Sequence, residues 1–216
     1  ADPFLPAAPD PQITLPTTNF KTKRVFPRNT LPADYYSVNP QHPHWPLIIM
    51  LVLTQLSVGA FVVGLLMNRV LDPEAHAEFR KIHATSALGF GLLALAASTM
   101  HLGRPQYAFR AFIGLRHSWL SREIIAFGAF AKAAAVYAIC CWMFPESSWV
   151  PVIGWAVAVS GAIGVFCSAM IYAATYREFW SLGRTLVKFT LTAAVLGVAA
   201  TWLAILVFGL SLDSVS

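Results

Sequence analysis

The stretch Val150–Ala174, VPVIGWAVAVSGAIGVFCSAMIYAA, runs for 25 residues without a charged side chain. A membrane-crossing α-helix needs about 20 predominantly apolar residues. Small side chains recur in it at four-residue spacing, as at Ser160, Gly164 and Ser168, which is typical of membrane helices whose backbones approach one another. The stretch therefore predicts a transmembrane helix that packs within a bundle.

Four further segments are apolar enough to span a membrane, although the second is shorter than the others. A spanning segment must satisfy its own backbone hydrogen bonds, and the alternating pattern of a barrel strand is absent, so each is predicted to be helical. Of all residues, 57% are hydrophobic and 12% charged, which is unlike a soluble domain. The predicted fold is an all-α, polytopic transmembrane helix bundle with five spans: Leu47 to Met67, Ala84 to Met100, Ile124 to Phe144, Val150 to Ala174 and Leu186 to Leu210.

The first 44 residues differ in composition from the rest of the chain. They contain nine prolines and no sustained apolar period, so this segment is expected to be extended and to form no core. Its aromatic and aliphatic side chains are numerous for a simple spacer. We therefore expect residues 1–44 to be a Pro-rich cytoplasmic arm that lies along a partner, and residues 45–216 to be the transmembrane domain.

Lys and Arg side chains are unevenly divided between the two ends of the predicted spans. Eleven lie in the amino-terminal tail and in the second and fourth connections, whereas three, Arg69, Arg80 and Lys81, lie in the first connection. By the positive-inside rule, the tail and the second connection are expected to be cytoplasmic. The net charge of +5 therefore reflects topology, and it does not imply nucleic-acid binding.

The cysteines offer no pattern of metal ligands. Cys140, Cys141 and Cys167 fall inside predicted helices, and their spacing does not match a zinc or iron–sulfur site. Phosphate-binding loops, zincin motifs and serine-nucleophile motifs are also absent from the sequence. The chain is thus expected to hold no metal and to perform no hydrolysis by itself.

The second connection gathers ionisable side chains at one end of the bundle. His101 and Arg104 follow the second span, and Arg122 and Glu123 precede the third. Each has a structural explanation, because the Gly and Pro after His101 stop a helix and an acid in a first helical turn is favoured by the exposed N–H groups. However, His101 and Glu123 are expected at the same cytoplasmic depth, and hence in one pocket covered by a partly apolar connection.

A lipid-soluble quinone would suit a pocket of this composition. Quinone chemistry moves two electrons and two protons, so it requires groups that exchange protons beside the ring oxygens, a task for which histidine and carboxyl groups are suited. Arginine can donate to a quinone oxygen and stabilise developing negative charge. The sequence contains no evident redox centre, so electrons would have to pass to or from another polypeptide.

Several motifs occur in a fixed order along the chain: Pro43-His-Trp-Pro-Leu, Met100-His-Leu-Gly-Arg-Pro, Ala108-Phe-Arg-Ala, Ser118-Trp-Leu-Ser-Arg-Glu-Ile and Met170-Ile-Tyr-Ala-Ala-Thr-Tyr-Arg-Glu-Phe-Trp. Together they resemble the dimethyl sulfoxide reductase membrane anchor subunit family over residues 42 to 210. The resemblance implies an anchor that binds menaquinone or ubiquinone and holds no metal or haem. It also implies partners: an iron–sulfur subunit with several clusters and a molybdopterin catalytic subunit.

The resemblance also implies roles for particular residues. In this family the histidine of the His-Leu-Gly motif and the glutamate at the start of the third helix are implicated in quinol binding, and they correspond to His101 and Glu123. We add Arg104 and Arg122 to the expected quinone site because of their proximity. The expected location is the bacterial inner (cytoplasmic) membrane, with the amino terminus and the quinone site on the cytoplasmic side.

The chain departs from the family pattern in two respects. Family members usually have about eight spans, whereas five are predicted here, and the Pro-rich arm is long compared with the simplest members. A cytoplasmic arm beside a cytoplasmic quinone pocket is similar to relatives whose catalytic subunits stay inside the cell, including sulfite-oxidising complexes.

Two other functions stay open on the sequence alone. A haem-b cytochrome anchor needs paired axial histidines, but His83 and His101 lie on one predicted helix about 27 Å apart and cannot bind one haem. A small membrane transporter is the other possibility, because Lys132 lies deep in the third span with no acid at matching depth. A lysine at that depth is costly and normally pairs or faces water.

Overall fold

The computed structural model describes the backbone of residues 43–67, 73–101, 105–175 and 180–213. The side chains of the same residues are described except at 73–76, 101 and 208–213. The chain divides into two units, Ala1–Pro43 and His44–Ser216, and the helices belong to the second. The predicted arm over residues 1–44 lies outside the described residues apart from its last two positions.

Within the described residues, five long helices form the bundle: α1 Trp45–Met67, α2 Pro73–His101, α3 Trp119–Met143, α4 Trp149–Ala173 and α5 Leu182–Asp213. Each contains a stretch of at least 23 residues that is long and apolar enough to cross a membrane. The described residues contain no β-strand. The prediction of an all-α polytopic bundle with five spans is therefore confirmed.

The second helix begins earlier than the sequence predicts, at Pro73 instead of Ala84. Proline suits the first position of a helix, and the charged residues that follow are helix formers, so the helix continues beyond its apolar part. The assignment of Arg80 and Lys81 to a connection is wrong, because both lie within α2. The Arg80 Nη2 group donates to the Pro145 carbonyl oxygen at 2.7 Å, and Lys81 pairs with Glu78 one turn earlier.

The connection between α2 and α3 is itself partly helical. It contains the 3-10 helix Pro105–Arg110 and the short α-helical turn Ala111–Gly114. Ser118 then caps α3, since its side chain accepts a hydrogen bond from the Ser121 N–H at 3.3 Å. As a result α3 starts at Trp119, five positions before the predicted start of the span at Ile124.

The helices pack around α1, which contacts α2, α4 and α5, and α3 packs against α4 and α2. Buried aromatic rings fill the centre in edge-to-face pairs, with Phe61 lying 5.7 Å from Phe130 and 6.0 Å from Tyr137 between ring centroids. The Ser57 hydroxyl donates to the Ala87 carbonyl oxygen at 2.6 Å and so links α1 to α2. These helices thus meet through apolar side chains and a buried polar contact.

The contact between α1 and α5 is made by backbone. A Cβ atom added to Gly59 would lie 1.9 Å from the Ala193 carbonyl oxygen, and one added to Gly197 would lie 2.3 Å from the Gly59 carbonyl carbon. Real Cβ atoms do not come so close to backbone atoms, so only glycine fits these two positions. This pair of glycines sets the distance between α1 and α5.

Candidate functional site

Glu123 lies one turn inside α3 and faces the interior of the bundle. Its side chain is 4% exposed, and the Ser168 hydroxyl of α4 donates a hydrogen bond to its Oε1 atom. The explanation of Glu123 as an acid in a first helical turn is wrong, because no acid lies in the first turn of α3. The carboxyl group is instead buried against a neighbouring helix.

The close approach of α3 and α4 brings these two side chains together. Gly164 lies one turn before Ser168, and a Cβ atom there would lie 2.6 Å from the Phe127 ring, so the glycine allows the helices to touch. Glu123 is near the beginning of α3, and Ser168 is near the end of the antiparallel α4. Both therefore lie at the end of the bundle that carries the connection between α2 and α3.

The hydroxyl of Ser168 has two acceptors within reach but only one proton to donate. Besides Glu123 Oε1, it lies 3.2 Å from the Gly164 carbonyl oxygen. When Glu123 is ionised, the hydroxyl can donate to the carboxylate; when Glu123 is protonated, the acid can donate to Ser168 while the hydroxyl donates to Gly164. The pair can therefore hold or release a proton without moving its heavy atoms, as a proton-exchanging site requires.

Aromatic side chains lie beside this pair. Tyr172 follows Ser168 by one turn and therefore lies on the same face of α4. Its ring makes edge-to-face contacts with Trp180 at 5.0 Å and with Phe189 of α5 at 5.6 Å. Together Glu123, Ser168, Tyr172, Trp180 and Phe189, which we call the Glu123 cluster, combine an acid, two hydroxyls and flat apolar surfaces.

Arg122 is adjacent to Glu123 in sequence but faces a different side of α3. Its guanidinium donates from Nε to the Leu115 carbonyl oxygen at 2.9 Å and from Nη2 to the Arg116 carbonyl oxygen at 3.0 Å. It also lies 4.1 Å from the Trp119 ring centroid. These hydrogen bonds link the connection between α2 and α3 to the start of α3. The expected contact of Arg122 with a quinone stays a prediction.

The other two predicted site residues, His101 and Arg104, lie partly or wholly outside the described part of the chain. His101 is the last residue of α2, and its side chain is outside the described part of the chain; Arg104 lies outside it altogether. The end of α2 and the start of α3 share one end of the bundle. The proposed meeting of His101 with Glu123 stays a prediction.

Sequence reasoning missed Ser168, Tyr172, Trp180 and Phe189 as members of the site. A signal was present in the sequence for three of them. Ser168 stands out only for the small-residue spacing, while Tyr172 and Trp180 belong to the motif that begins at Met170. Phe189 had no such signal, because an aromatic residue within an apolar helix is common.

His83, considered above as a haem ligand, and Lys132, which suggested a transporter, lie away from the Glu123 cluster. His83 is buried in α2 near the opposite end of the bundle, with its Nε2 atom 3.0 Å from the Thr201 hydroxyl and its ring against Phe79. Lys132 is exposed on the side of α3 opposite Glu123. No group of three or more potential metal ligands occurs among the residues whose positions are described.

Removal of the Ser168 hydroxyl tests its part in the site. Ser168→Ala leaves the Glu123 carboxyl without its hydrogen-bond donor from α4. For the quinone site that the family resemblance implies, we expect quinol-linked electron transfer to fall about tenfold. Ser160→Ala is the matched control, because that hydroxyl donates to the Ala156 carbonyl oxygen of its own helix at 2.7 Å. Equal rates in the two variants would contradict a role for Ser168.

The bundle and the Glu123 cluster define a multi-pass helical membrane protein with an ionisable site buried at one end. The profile of the DMSO reductase anchor subunit (DmsC) family matches residues 38–211, and the chain belongs to this family. The resemblance found in the motifs is therefore confirmed.

Two curated relatives give the likeness in more detail. The chain is 31% identical over 174 residues to the C subunit of a sulfite dehydrogenase from Allochromatium vinosum, covering 72% of this chain and 53% of the relative. It is 30% identical over 165 residues to the corresponding C polypeptide of the anaerobic dimethyl sulfoxide reductase from Haemophilus influenzae, covering 73% and 57%. The chain thus spans little more than half the length of these relatives. No solved structure matches it.

Proposed function

We propose that this chain is the quinone-reactive membrane anchor subunit of a multi-subunit molybdoenzyme. The observation that carries the proposal is the buried Glu123–Ser168 pair, because its two hydrogen-bonding arrangements suit a group that exchanges protons with a bound quinone or quinol. Family membership over residues 38–211 supports the same function. The test is the quinol-linked turnover of the Glu123→Gln complex, which should be lost.

Each part of the Glu123 cluster has a role in this proposal. The Glu123 carboxyl holds or moves a proton at Oε1, and Ser168 orients it. The Tyr172, Trp180 and Phe189 rings offer apolar surfaces for a flat ring or its isoprenoid tail. His101, at the end of α2, would supply a second proton-exchanging group, and Arg104 and Arg122 would donate to a quinone oxygen.

The quinone, menaquinone or ubiquinone, supplies the electron chemistry as a substrate. Electrons would be exchanged with an iron–sulfur subunit and, through it, with a molybdopterin catalytic subunit of a sulfite dehydrogenase-like or dimethyl sulfoxide reductase-like complex. The names of the two curated relatives support partners of this kind. We further propose that the Pro-rich arm, residues 1–44, docks on the iron–sulfur partner.

We place the chain in the bacterial inner membrane with the Glu123 cluster near the cytoplasmic face. The excess of Lys and Arg in the tail and in the second and fourth connections supports this orientation. An iron–sulfur partner on the same side would then lie near the quinone. Electrons would have only a short distance to cross between the two.

Labelling of introduced cysteines tests the orientation. Arg110 and Glu146 lie in connections at opposite ends of the bundle, and neither side chain is buried. We expect a membrane-impermeant maleimide to label Arg110→Cys in inside-out vesicles and Glu146→Cys in right-side-out vesicles, above the background of the wild-type chain. The reverse pattern would contradict a cytoplasmic site.

The transporter interpretation gains no support from the geometry. Its main evidence was Lys132, but Lys132 is exposed whereas Glu123 is buried, on the opposite side of α3. The two side chains therefore cannot line one passage through the bundle.

A further inference from the structure

Gln55 of α1 is a buried polar side chain without a partner. It is 5% exposed, and its amide makes no hydrogen bond in the part of the chain that the structure describes. The buried hydroxyls beside it on α1 are both bonded. Thr54 donates to the Met50 carbonyl oxygen at 2.8 Å, and Ser57 donates to the Ala87 carbonyl oxygen at 2.6 Å. Burial of an unpaired amide is costly, so packing of the helices does not explain Gln55.

The Gln55 amide is also not fully enclosed by the bundle. Among the described residues, the fully enclosed side-chain polar atom without a hydrogen-bond partner is Arg80 Nε. The amide of Gln55, which lacks a partner as well, therefore borders a small accessible space. Because an amide carries both a donor and an acceptor, it could bind a carbonyl or a hydroxyl group there.

The packing of α1 against α4 gives the depth of Gln55. Val58 lies level with Gly161, since a Cβ atom added to this glycine would lie 2.8 Å from the valine side chain. Ser168 follows Gly161 by seven residues, which moves it about 10.5 Å towards the connection between α2 and α3. Gln55 precedes Val58 by three residues, which moves it about 4.5 Å in the same direction. Gln55 thus lies about 6 Å, or roughly one helical turn, deeper in the bundle than Ser168.

The packing of α1 against α5 places Gln55 beside the Glu123 cluster. The two helices run in the same direction, and a Cβ atom added to Gly59 would lie 1.9 Å from the Ala193 carbonyl oxygen. One turn earlier on each helix, Gln55 and Phe189 occupy corresponding positions. The Phe189 ring lies 5.6 Å from that of Tyr172. Gln55 is therefore at the deep end of this cluster.

We propose that Gln55 is a binding residue of the quinone site and holds the ring oxygen that lies farther from Glu123. This inference rests on the proposed quinone function of the Glu123 cluster. The amide Nε2 group donates to a quinone carbonyl, and Oε1 accepts from a quinol hydroxyl. The two oxygens lie on opposite sides of a quinone ring, so a ring aligned with the helices reaches from the Glu123–Ser168 pair to an amide one turn deeper. Gln55 thereby orients the ring and selects one with two oxygens.

Binding of two ring compounds to membranes that contain the full chain tests this role. A naphthoquinol carries hydroxyl groups on opposite sides of one ring, whereas a naphthol carries one hydroxyl. We expect the wild-type chain to bind the naphthoquinol at least about tenfold more tightly than the naphthol. Gln55→Met keeps the length of the side chain and removes its amide, so it should lose this preference by weakening naphthoquinol binding alone. Ser57→Ala, on the same helix, is the control and should keep the preference.

The outcomes separate this inference from the proposed function. Equal naphthoquinol binding by Gln55→Met and the wild-type chain would overturn the role of Gln55, and so would an equal loss for both compounds. No preference in the wild-type chain itself would overturn it without any substitution. Binding of neither compound to the wild-type chain would refute the quinone site as a whole, and Gln55 with it.

Denaturant titration without quinone distinguishes ligand binding from a structural role. Because the Gln55 amide is unpaired in the bundle, Gln55→Met should unfold at the same or a higher denaturant concentration than the wild-type chain. Ser57→Ala, which loses the hydrogen bond to Ala87, should unfold at a lower one. A lower midpoint for Gln55→Met would show that the amide stabilises the bundle, and it would contradict the proposal.

Discussion

Glu123→Gln is expected to lower quinol-linked turnover of the assembled complex by at least about 100-fold, the usual contribution of a positioned acid or base. Glutamine has almost the same shape, and its Oε1 atom can still accept the hydrogen bond from Ser168. The substitution therefore removes the exchangeable proton and leaves the packing of α3 against α4. Turnover is measured with a quinol or quinone analogue in membranes.

The dye-linked activity of the proposed catalytic and iron–sulfur subunits provides the internal control for this experiment. It should be unchanged in the Glu123→Gln complex, because an artificial donor or acceptor bypasses the anchor. Glu146→Gln is the matched substitution at an acid near the opposite end of the bundle, and it should leave both activities unchanged. His101→Ala should behave like Glu123→Gln, and full quinol-linked activity in both variants would refute the site.

Gly59→Val is expected to reduce the free energy of unfolding by more than about 3 kcal/mol, the upper part of the range for overpacked interiors. The contact that the new side chain would disturb is with backbone, since a Cβ atom there would lie 1.9 Å from the Ala193 carbonyl oxygen. Backbone cannot rotate away as a flexible side chain can. α1 and α5 must therefore separate. The resulting loss of stability is measured by denaturant titration in detergent micelles.

Gly89→Val is the control for the intrinsic effect of valine in a helix. A Cβ atom at Gly89 meets nothing within 4 Å, so we expect the free energy of unfolding to change by less than about 1 kcal/mol, from helix propensity alone. If Gly59→Val and Gly89→Val unfold at the same denaturant concentration, the backbone contact between α1 and α5 does not limit stability.

The number and approximate position of the spans could be predicted from the sequence, because the hydrocarbon layer imposes a length and an apolar composition. The ends of the helices could not be predicted in this way. Apolar composition marks the part of a helix inside the membrane, whereas α2 begins at Pro73 and contains Arg80 and Lys81. Charged residues with good helical propensity extend a helix past its apolar part, and hydropathy does not detect that extension.

The candidate site was only partly predictable for a related reason. Glu123 was selected from its residue type and position, but its hydrogen-bond donor Ser168 follows 45 positions later in the chain. Which side chains meet depends on the rotation of each helix about its axis, and small hydrophobic differences around a membrane helix do not determine this. For the same reason the sequence could not predict that the Arg122 side chain points towards the connection between α2 and α3 instead of the bundle interior.

The glycine contact between α1 and α5 also imposes an order on the synthesis of the protein. Gly197 follows Gly59 by 138 positions, and a ribosome adds about 5–20 residues per second. The surface of α1 around Gly59 therefore leaves the ribosome on the order of 10 s before the part of α5 that covers it. During that interval lipid, a chaperone or the insertion machinery must occupy the place of α5. Until α5 enters the membrane, the newly made chain therefore exposes a surface of α1 that is covered in the folded bundle.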